Sequence, residues 1–253
     1  MTRVRGSVAA EARLGWLTEH LRAHGSVTIA EAAAELGVSE MTIRRDLDEL
    51  EGRGTIRRVR GGATLIGPQT VARRREAAAR AKGRIAAKLA PLVPERGAVA
   101  FDASTTIMRL ATGLDGAADL TVVTNGPDTF AALQQVPGVT ALLSGGWLDP
   151  RTGSLVGPLA CRSVTQLGVE ALFLSAAAVD PTSGAMEATL EEAEVKRAIA
   201  SVARRVVLAV DASKLDTRSM AVGVGWDDVD LLVTELDPSD ARLDPFRDRV
   251  ELA

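Results

Sequence analysis

TIAEAAAELGVSEMTIRRDLDELEGRG, residues 28–54, holds two helical patterns separated by a short turn. Thr28 with Glu31 three residues on is a capping box. Ala-rich turns follow, and Gly37 closes the first helix in the left-handed position where glycine costs least. Ser39 then starts a second helix that runs to about Gly52. Two helices meeting across Leu36-Gly37-Val38-Ser39 have the helix-turn-helix layout, in which the second helix offers its N-terminal residues to a DNA major groove. At about 100° per residue, Ile43, Leu47 and Leu50 share a narrow arc that must face a core. Met41, Arg44 and Arg45 fall on the far side, with Thr42 on the flank. The acids Asp48, Glu49 and Glu51 come one to two turns later, and Asp46 is expected to hold Arg44 or Arg45. The positive end of the helix dipole therefore coincides with the basic and hydroxyl groups, which suits phosphate.

Working outward, residues 11–24 (EARLGWLTEHLRAH) put Leu14, Leu17 and Leu21 on one helical face, and Gly25 ends that helix. On the other side, TIRRVRGGATLI (55–66) alternates apolar and basic residues around Gly61-Gly62. It reads as a hairpin, a wing whose arginines can reach phosphate or the minor groove. The run RGGA lacks the spacing of a nucleotide-binding glycine loop. His20 and His24 lie four apart on a helix, but a third metal ligand is missing, so no metal is expected.

Residues 1–90 carry 17 Lys and Arg against 10 Asp and Glu, a balance of +7, while the rest of the chain is at −10. A basic segment joined to an acidic body suggests a polyanion-binding part attached to something else. Aromatics are only 3% and Tyr is absent, so the core must be mostly aliphatic. A single cysteine, Cys161, excludes an internal disulfide and a thiolate metal cluster. It reads as a small apolar filler in a reducing cytoplasm. The N-terminus has no apolar signal region, and the apolar runs are too short for a membrane helix.

Gly67-Pro68 breaks the pattern, and a connecting helix follows until Pro91 and Pro94 stop it. We therefore expect a DNA-binding segment at 1–66, a linker and connecting helix at 67–96, and a third part at 97–253. That last part alternates short apolar runs with helices: AVAF (98–101), LTVVT (120–124), VTALLS (139–144), ALFLSAAAV (171–179), VVLAV (206–210) and LLVT (231–234). Such alternation predicts an α/β domain with a mostly parallel sheet. The runs exit into DASTT, Asn125-Gly126, Gly145-Gly146, Asp180 and Asp211. Ligands bind along that edge of an open parallel sheet. In DASTT, the hydroxyls of Ser104, Thr105 and Thr106 and the amides of the next helix form a cradle for phosphate or carboxylate, and Lys214 can neutralise it. A plain helix cap by Ser104 or Thr105 is the other reading.

The stretch 13–63, above all TIRRDLDELEGRG followed by RGGA, resembles the DNA-binding segment of the DeoR family of bacterial transcriptional regulators. FDASTT, VVTN, LLSGG, LVG, VDPTSG, EEAEVKRAI and DASK resemble its effector-sensing domain, in that order. The resemblance implies a winged helix-turn-helix with operator contacts from Ser39, Met41, Thr42, Arg44 and Arg45 and wing contacts from Arg58 and Arg60. It implies a sensor domain of sugar-phosphate isomerase and CoA-transferase type, which binds a phosphorylated sugar or related anionic metabolite without catalysis. The implied ligand positions are Asp102, Ser104, Thr105, Thr106, Thr124, Asn125, Gly146 and Lys214. Arg74, Lys82, Arg151, Glu192 and Lys196 also match recurring positions. Three places depart: Ser104 stands where glycine is usual, SAAAVD replaces a Gly-rich stretch, and Glu235 stands where Asp is common.

The expected function is thus a cytoplasmic repressor of carbohydrate-metabolism genes, without a cofactor. It would act as a dimer or tetramer on double-stranded DNA and respond to a small anionic metabolite. The competing reading is a sugar-phosphate isomerase or transferase using Asp102, Asp180 and Asp211 as acid and base.

Overall fold

A computed structural model describes residues 2–24, 26–52, 56–59, 61–65, 74 and 77–253. Gly25, Arg60 and the Gly67-Pro68 break lie outside the described residues. The chain forms two compact units, Met1–Arg73 and Arg74–Ala253.

The first unit contains α1 (Thr2–His24), β1 (Ser26–Thr28), α2 (Ile29–Leu36), α3 (Glu40–Gly52), β2 (Ile56–Val59) and β3 (Gly62–Leu65). The capping box forms as expected. The Thr28 hydroxyl accepts from Glu31 N at 3.2 Å, and Thr28 N donates back to the Glu31 carboxylate at 3.3 Å. Gly37 takes φ 63° at the end of α2. Leu17, Leu21, Ile43, Leu47 and Ile56 are fully buried in one cluster. Each such side chain contributes about 1.5–3 kcal/mol on leaving water. The hairpin β2–β3 is present, but it belongs to a three-stranded sheet in the order β1-β3-β2. Strand β1, three residues long, has too short a pattern to be read from sequence. Gly62 lies opposite Thr28 across β1 and β3. A Cβ there would sit 2.1 Å from the Val27 carbonyl oxygen, so the close approach of these strands requires glycine.

The second unit begins with α4 (Ala79–Leu89), whose Ile85 and Leu89 are part of this unit's own core. A 3₁₀ turn, Ala90–Leu92, carries the chain through Pro91. Then come β4 (Arg96–Phe101), α5 (Thr105–Thr112), β5 (Asp119–Thr124), α6 (Pro127–Leu133), β6 (Val139–Leu143), β7 (Trp147–Asp149), β8 (Ser154–Val156), α7 (Pro158–Val164) and β9 (Ala171–Leu174). The chain ends with β10 (Ala178–Asp180), β11 (Gly184–Glu187), α8 (Leu190–Ala200), β12 (Val206–Ala209), β13 (Ala221–Val224), β14 (Leu231–Val233) and β15 (Glu251–Leu252).

Seven strands form one sheet in the order β15-β14-β12-β9-β4-β5-β6, with every pairing parallel. Alternate residues of β9 and β12 feed opposite faces. Leu172, Leu174, Val206 and Leu208 meet α7 and α8, while Phe173, Val207 and Ala209 meet α4, α5 and α6. The sheet is therefore a middle layer buried on both sides, which explains its continuous apolar strands. ALFLSAAAV is not one strand: it breaks at Ser175, and β10 joins a separate sheet with β11 and β13. VTALLS is not buried either. As β6 it is the edge strand, and Leu142 and Leu143 are exposed. Cys161 is half-buried against the core, where burial raises its thiol pKa. Among the described residues no helix is long and apolar enough to cross a membrane.

Candidate functional site

Two places gather chemistry, one in each unit. In the first, α3 presents the expected faces. Ile43, Leu47 and Leu50 are buried, whereas Met41 is 56% exposed and Arg44 and Arg45 are exposed. Ser39 caps the helix: its Oγ accepts from Thr42 N at 3.2 Å and bonds the Thr42 hydroxyl at 2.9 Å. Arg44 reaches Glu40 at 3.4 Å in a half-exposed pair that holds it weakly. Arg45 makes no ion pair among the described residues.

Asp46 holds neither arginine. It sits on the buried arc beside Ile43 and Leu47 and takes a forked bond from Arg13 of α1, at 2.8 and 3.1 Å. The hydrogen bonds that Arg13 donates to Asp46 raise the Arg13 pKa. Arg58 is likewise turned from the role the resemblance implied. Its Nη1 donates to the Asp48 carboxylate and, at 3.0 Å, to the Arg44 carbonyl, and its backbone N–H donates to Glu51 at 2.8 Å. The acids late in α3 therefore tie the wing to the helix. The charge sorting along α3 has a double use: cations in front face outward, and carboxylates behind clamp β2. His20 stacks on Trp16 with ring centroids 4.7 Å apart.

In the second unit, Asp102, Asn125, Gly145-Gly146, Ser175 and Asp211 follow β4, β5, β6, β9 and β12, all at the carboxyl edge of the sheet. Asp180 does not. It ends β10, where its carboxylate accepts from Thr182 N and Ser183 N and pairs with Arg218 at 2.9 Å. Asp211 accepts from Ser213 N at 3.1 Å as a turn cap.

Asp102 is completely enclosed. Its carboxylate accepts from Ser104 N at 3.0 Å and Ser175 N at 2.9 Å, and lies 3.1 Å from Lys196 Nζ. It shapes the loop from below instead of touching a ligand. Thr106 and Thr124 are sealed as well, and Thr124 Oγ1 accepts from Gly126 N at 3.0 Å. Gly146, at φ 118°, is required by packing: a Cβ would lie 2.5 Å from the Val156 carbonyl oxygen. Ser104 is the helix cap, accepting from Ile107 N at 3.2 Å. Asn125 clamps Leu155 of β8 through its own carbonyl and its Nδ2, while its Oδ1 is buried with no partner among the described residues. Ser175 Oγ is also buried and, among the described residues, unpartnered. Lys214 Nζ donates to the Ala176 carbonyl.

Residues outside the expected ligand set complete the edge. Lys82, from α4 and only 4% exposed, donates to Thr105 Oγ1 at 3.0 Å and to the Arg74 carbonyl. Thr105 Oγ1 also donates to that carbonyl, at 3.2 Å, and the Arg74 guanidinium donates to the Thr152 carbonyl. Burial, with Lys214, Arg74 and Arg109 nearby, lowers the Lys82 pKa to about 8, against the pull of Asp211. Four cations thus lie near one another at this edge, with Asp211 among them. Beneath it, Lys196 bonds Glu187 at 2.8 Å as well as facing Asp102. Burial alone would lower the Lys196 pKa, but Glu187, Asp102 and Glu192 hold it well above its usual range. Burial raises Glu187 to about 7 despite Lys196. The sequence signal for Glu187 was faint: one acid at the end of a four-residue strand.

Residues 13–69 match the DeoR-like helix-turn-helix domain, and residues 77–236 match the DeoR C terminal sensor domain. The chain belongs to the DeoR family. The regulator GlpR of Haloferax volcanii is 35% identical over 82% of this chain and 83% of that one. The transcriptional repressor AccR of Agrobacterium fabrum is 32% identical over 87% of each. The repressor GlcR of Bacillus subtilis is 31% identical over 96% and 95%. Among solved structures, a ribose 5-phosphate isomerase from Methanocaldococcus jannaschii superposes with a TM-score of 0.38 at 14% identity over 53% of this chain and 52% of that one, too distant to bear on function. The chain is a DNA-binding transcriptional regulator of this family, not an isomerase. The enclosure of Asp102 and the turn roles of Asp180 and Asp211 agree with that.

Proposed function

We propose that this regulator is a cytoplasmic repressor whose operator binding responds to a phosphorylated sugar or similar small anion. The front of α3 makes the operator contacts, through Ser39, Met41, Thr42, Arg44 and Arg45, with Arg58 positioning the wing. Relatives named as repressors, among them the glycerol-3-phosphate regulon repressor of Escherichia coli, support the sign of regulation and the ligand class. The observation that carries the sensor reading is Lys82, a nearly buried ammonium that reaches Thr105 Oγ1 at the start of α5, with the Lys214 amine near it at the same sheet edge. Ser104 and Thr105 supply hydroxyls beside it. A thermal-shift screen of phosphorylated sugars and glycerol phosphate, followed by operator titration with each hit, tests this. A hit that changes operator affinity supports it. No stabilisation by any phosphorylated compound counts against it.

An anion favours charged Lys82. Its amine, at about 8 without ligand, empties of protons as pH rises, so affinity should fall through that window. Calorimetric titration with the tightest hit should show about tenfold weaker binding at pH 9 than at pH 7. Equal affinity would remove Lys82 from the site.

The repressor acts as a homo-oligomer, a dimer or tetramer. Leu142 and Leu143 on the open edge strand β6, with Trp147, Leu148 and Leu159 beyond it, are exposed apolar residues that a second copy would cover. Sedimentation equilibrium of Leu142→Glu/Trp147→Glu should show a smaller species than the parent. An unchanged mass would place the contact elsewhere.

A further inference from the structure

Arg74 is the first residue of the second unit, so the chain leading back to the DNA-binding unit leaves from it. Its main-chain carbonyl oxygen accepts from both Lys82 Nζ and Thr105 Oγ1. Those donors are a buried ammonium and a hydroxyl at the start of α5, the groups best suited to a phosphoryl oxygen. A neutral carbonyl satisfies their hydrogen bonds but supplies no charge. We infer that Lys82 and Thr105 form a switchable anion seat, in which the Arg74 carbonyl is a stand-in that the anionic ligand displaces. The inference rests on the sensor reading above and adds what the ligand replaces.

The physical basis is differential binding. A ligand shifts an equilibrium only if it favours one arrangement. An anion takes the two donors more strongly than a peptide oxygen does: it makes the Thr105 bond charge-assisted, about twice as strong as a neutral one, and sets a full opposite charge against the Lys82 ammonium. It cannot take them while the carbonyl keeps them. Occupation of the seat and attachment of Arg74 are therefore alternatives. The guanidinium bond to the Thr152 carbonyl remains as a second tether, and Thr152 leads through Ser154, at 2.7 Å, to Glu192 beside the buried Lys196. The start of the unit is thus fastened to the sheet edge through both the carbonyl and the guanidinium of Arg74, and the ligand contests the carbonyl.

The peptide bond after Arg74 is a trypsin site, which allows a direct test on the full chain with inorganic phosphate as the probe. Calorimetry reports phosphate binding, and mass spectrometry of limited digests reports the cleavage rate at Arg74. Phosphate should raise that rate about tenfold or more, the change expected when a charge-assisted hydrogen bond is lost. Lys82→Met should lose phosphate binding and be cleaved rapidly with or without it. Lys82→Arg should restore both binding and protection. Phosphate binding with cleavage at Arg74 unchanged would overturn the displacement and leave the sensor reading standing. Phosphate binding of parental strength in Lys82→Met, in a chain that melts at the parental temperature, would overturn the seat. Failure of inorganic phosphate to bind the parent at all would also overturn the seat. If every phosphorylated sugar failed too, the sensor reading would fall with it.

Discussion

Lys196→Met should cost the second unit roughly 3–5 kcal/mol, the penalty for stranding buried charge. The parent ammonium lies 3.1 Å from Asp102 and 2.8 Å from Glu187, with all three side chains almost wholly enclosed. Methionine fills the volume but leaves two carboxylates facing each other without a cation. That loss is a large part of the whole stability of a typical domain. The sign with pH follows from the pKa directions. Glu187 in the fold sits at about 7, above its ordinary 4.5. Between those values the folded state binds more protons than the unfolded one, so this group's contribution falls as pH rises. Removing Lys196 takes away the charge that pulls Glu187 down and leaves Asp102 without its counter-ion. The variant should therefore recover part of its loss at pH 5, where the Glu187 carboxyl can accept a proton. Urea unfolding at pH 5 and pH 8 measures this. A loss below about 1 kcal/mol at both values, as for an exposed pair, would show that the cluster does not hold the sheet edge together.

The second large effect is on DNA binding. Arg44→Ala and Arg45→Ala should each weaken operator binding by about 1–3 kcal/mol, roughly fivefold to 150-fold. Both side chains are exposed, and Arg44 has only a weak pair with Glu40, so neither change should lower the melting temperature. That combination separates a contact residue from a structural one. Arg13→Ala is the useful contrast. It removes the forked bond to Asp46 inside the helical core, so stability should fall first and DNA affinity only as a consequence. The duplex can be obtained by selection from randomised sequences and titrated by fluorescence anisotropy.

The fold was legible where local chemistry repeats. Thr28, Glu31, Gly37 and Ser39 mark helix ends by hydrogen bonds within a few residues, and the apolar runs of β4, β5, β9, β12 and β14 show a sheet covered on both faces. The sites were legible only in part, because their decisive partners are far apart in the chain. Asp46 finds Arg13 across 33 positions, and Asp102 finds Ser175 across 73. The helical repeat alone puts Asp46 on the same arc as Ile43 and Leu47, which points it at the core and away from the exposed arginines. For Asp102, Thr106 and Thr124, no periodicity separates a side chain lining a site from one sealed beneath it. Lys82 and Arg74 stand out in the sequence only through the family resemblance. Their contact depends on α4 packing into the second unit, whereas the sequence suggested a connecting helix.

The central claim is that the outward cationic front of α3 meets the phosphates and bases of an operator. The salt dependence of operator affinity, compared between the parent and the Arg44→Ala and Arg45→Ala chains, tests it most directly. The account predicts that parental affinity falls steeply and log-linearly with salt, and that each lost phosphate contact lowers the slope by about 1. Parental binding indifferent to salt, or identical slopes and affinities in all three chains, would contradict it.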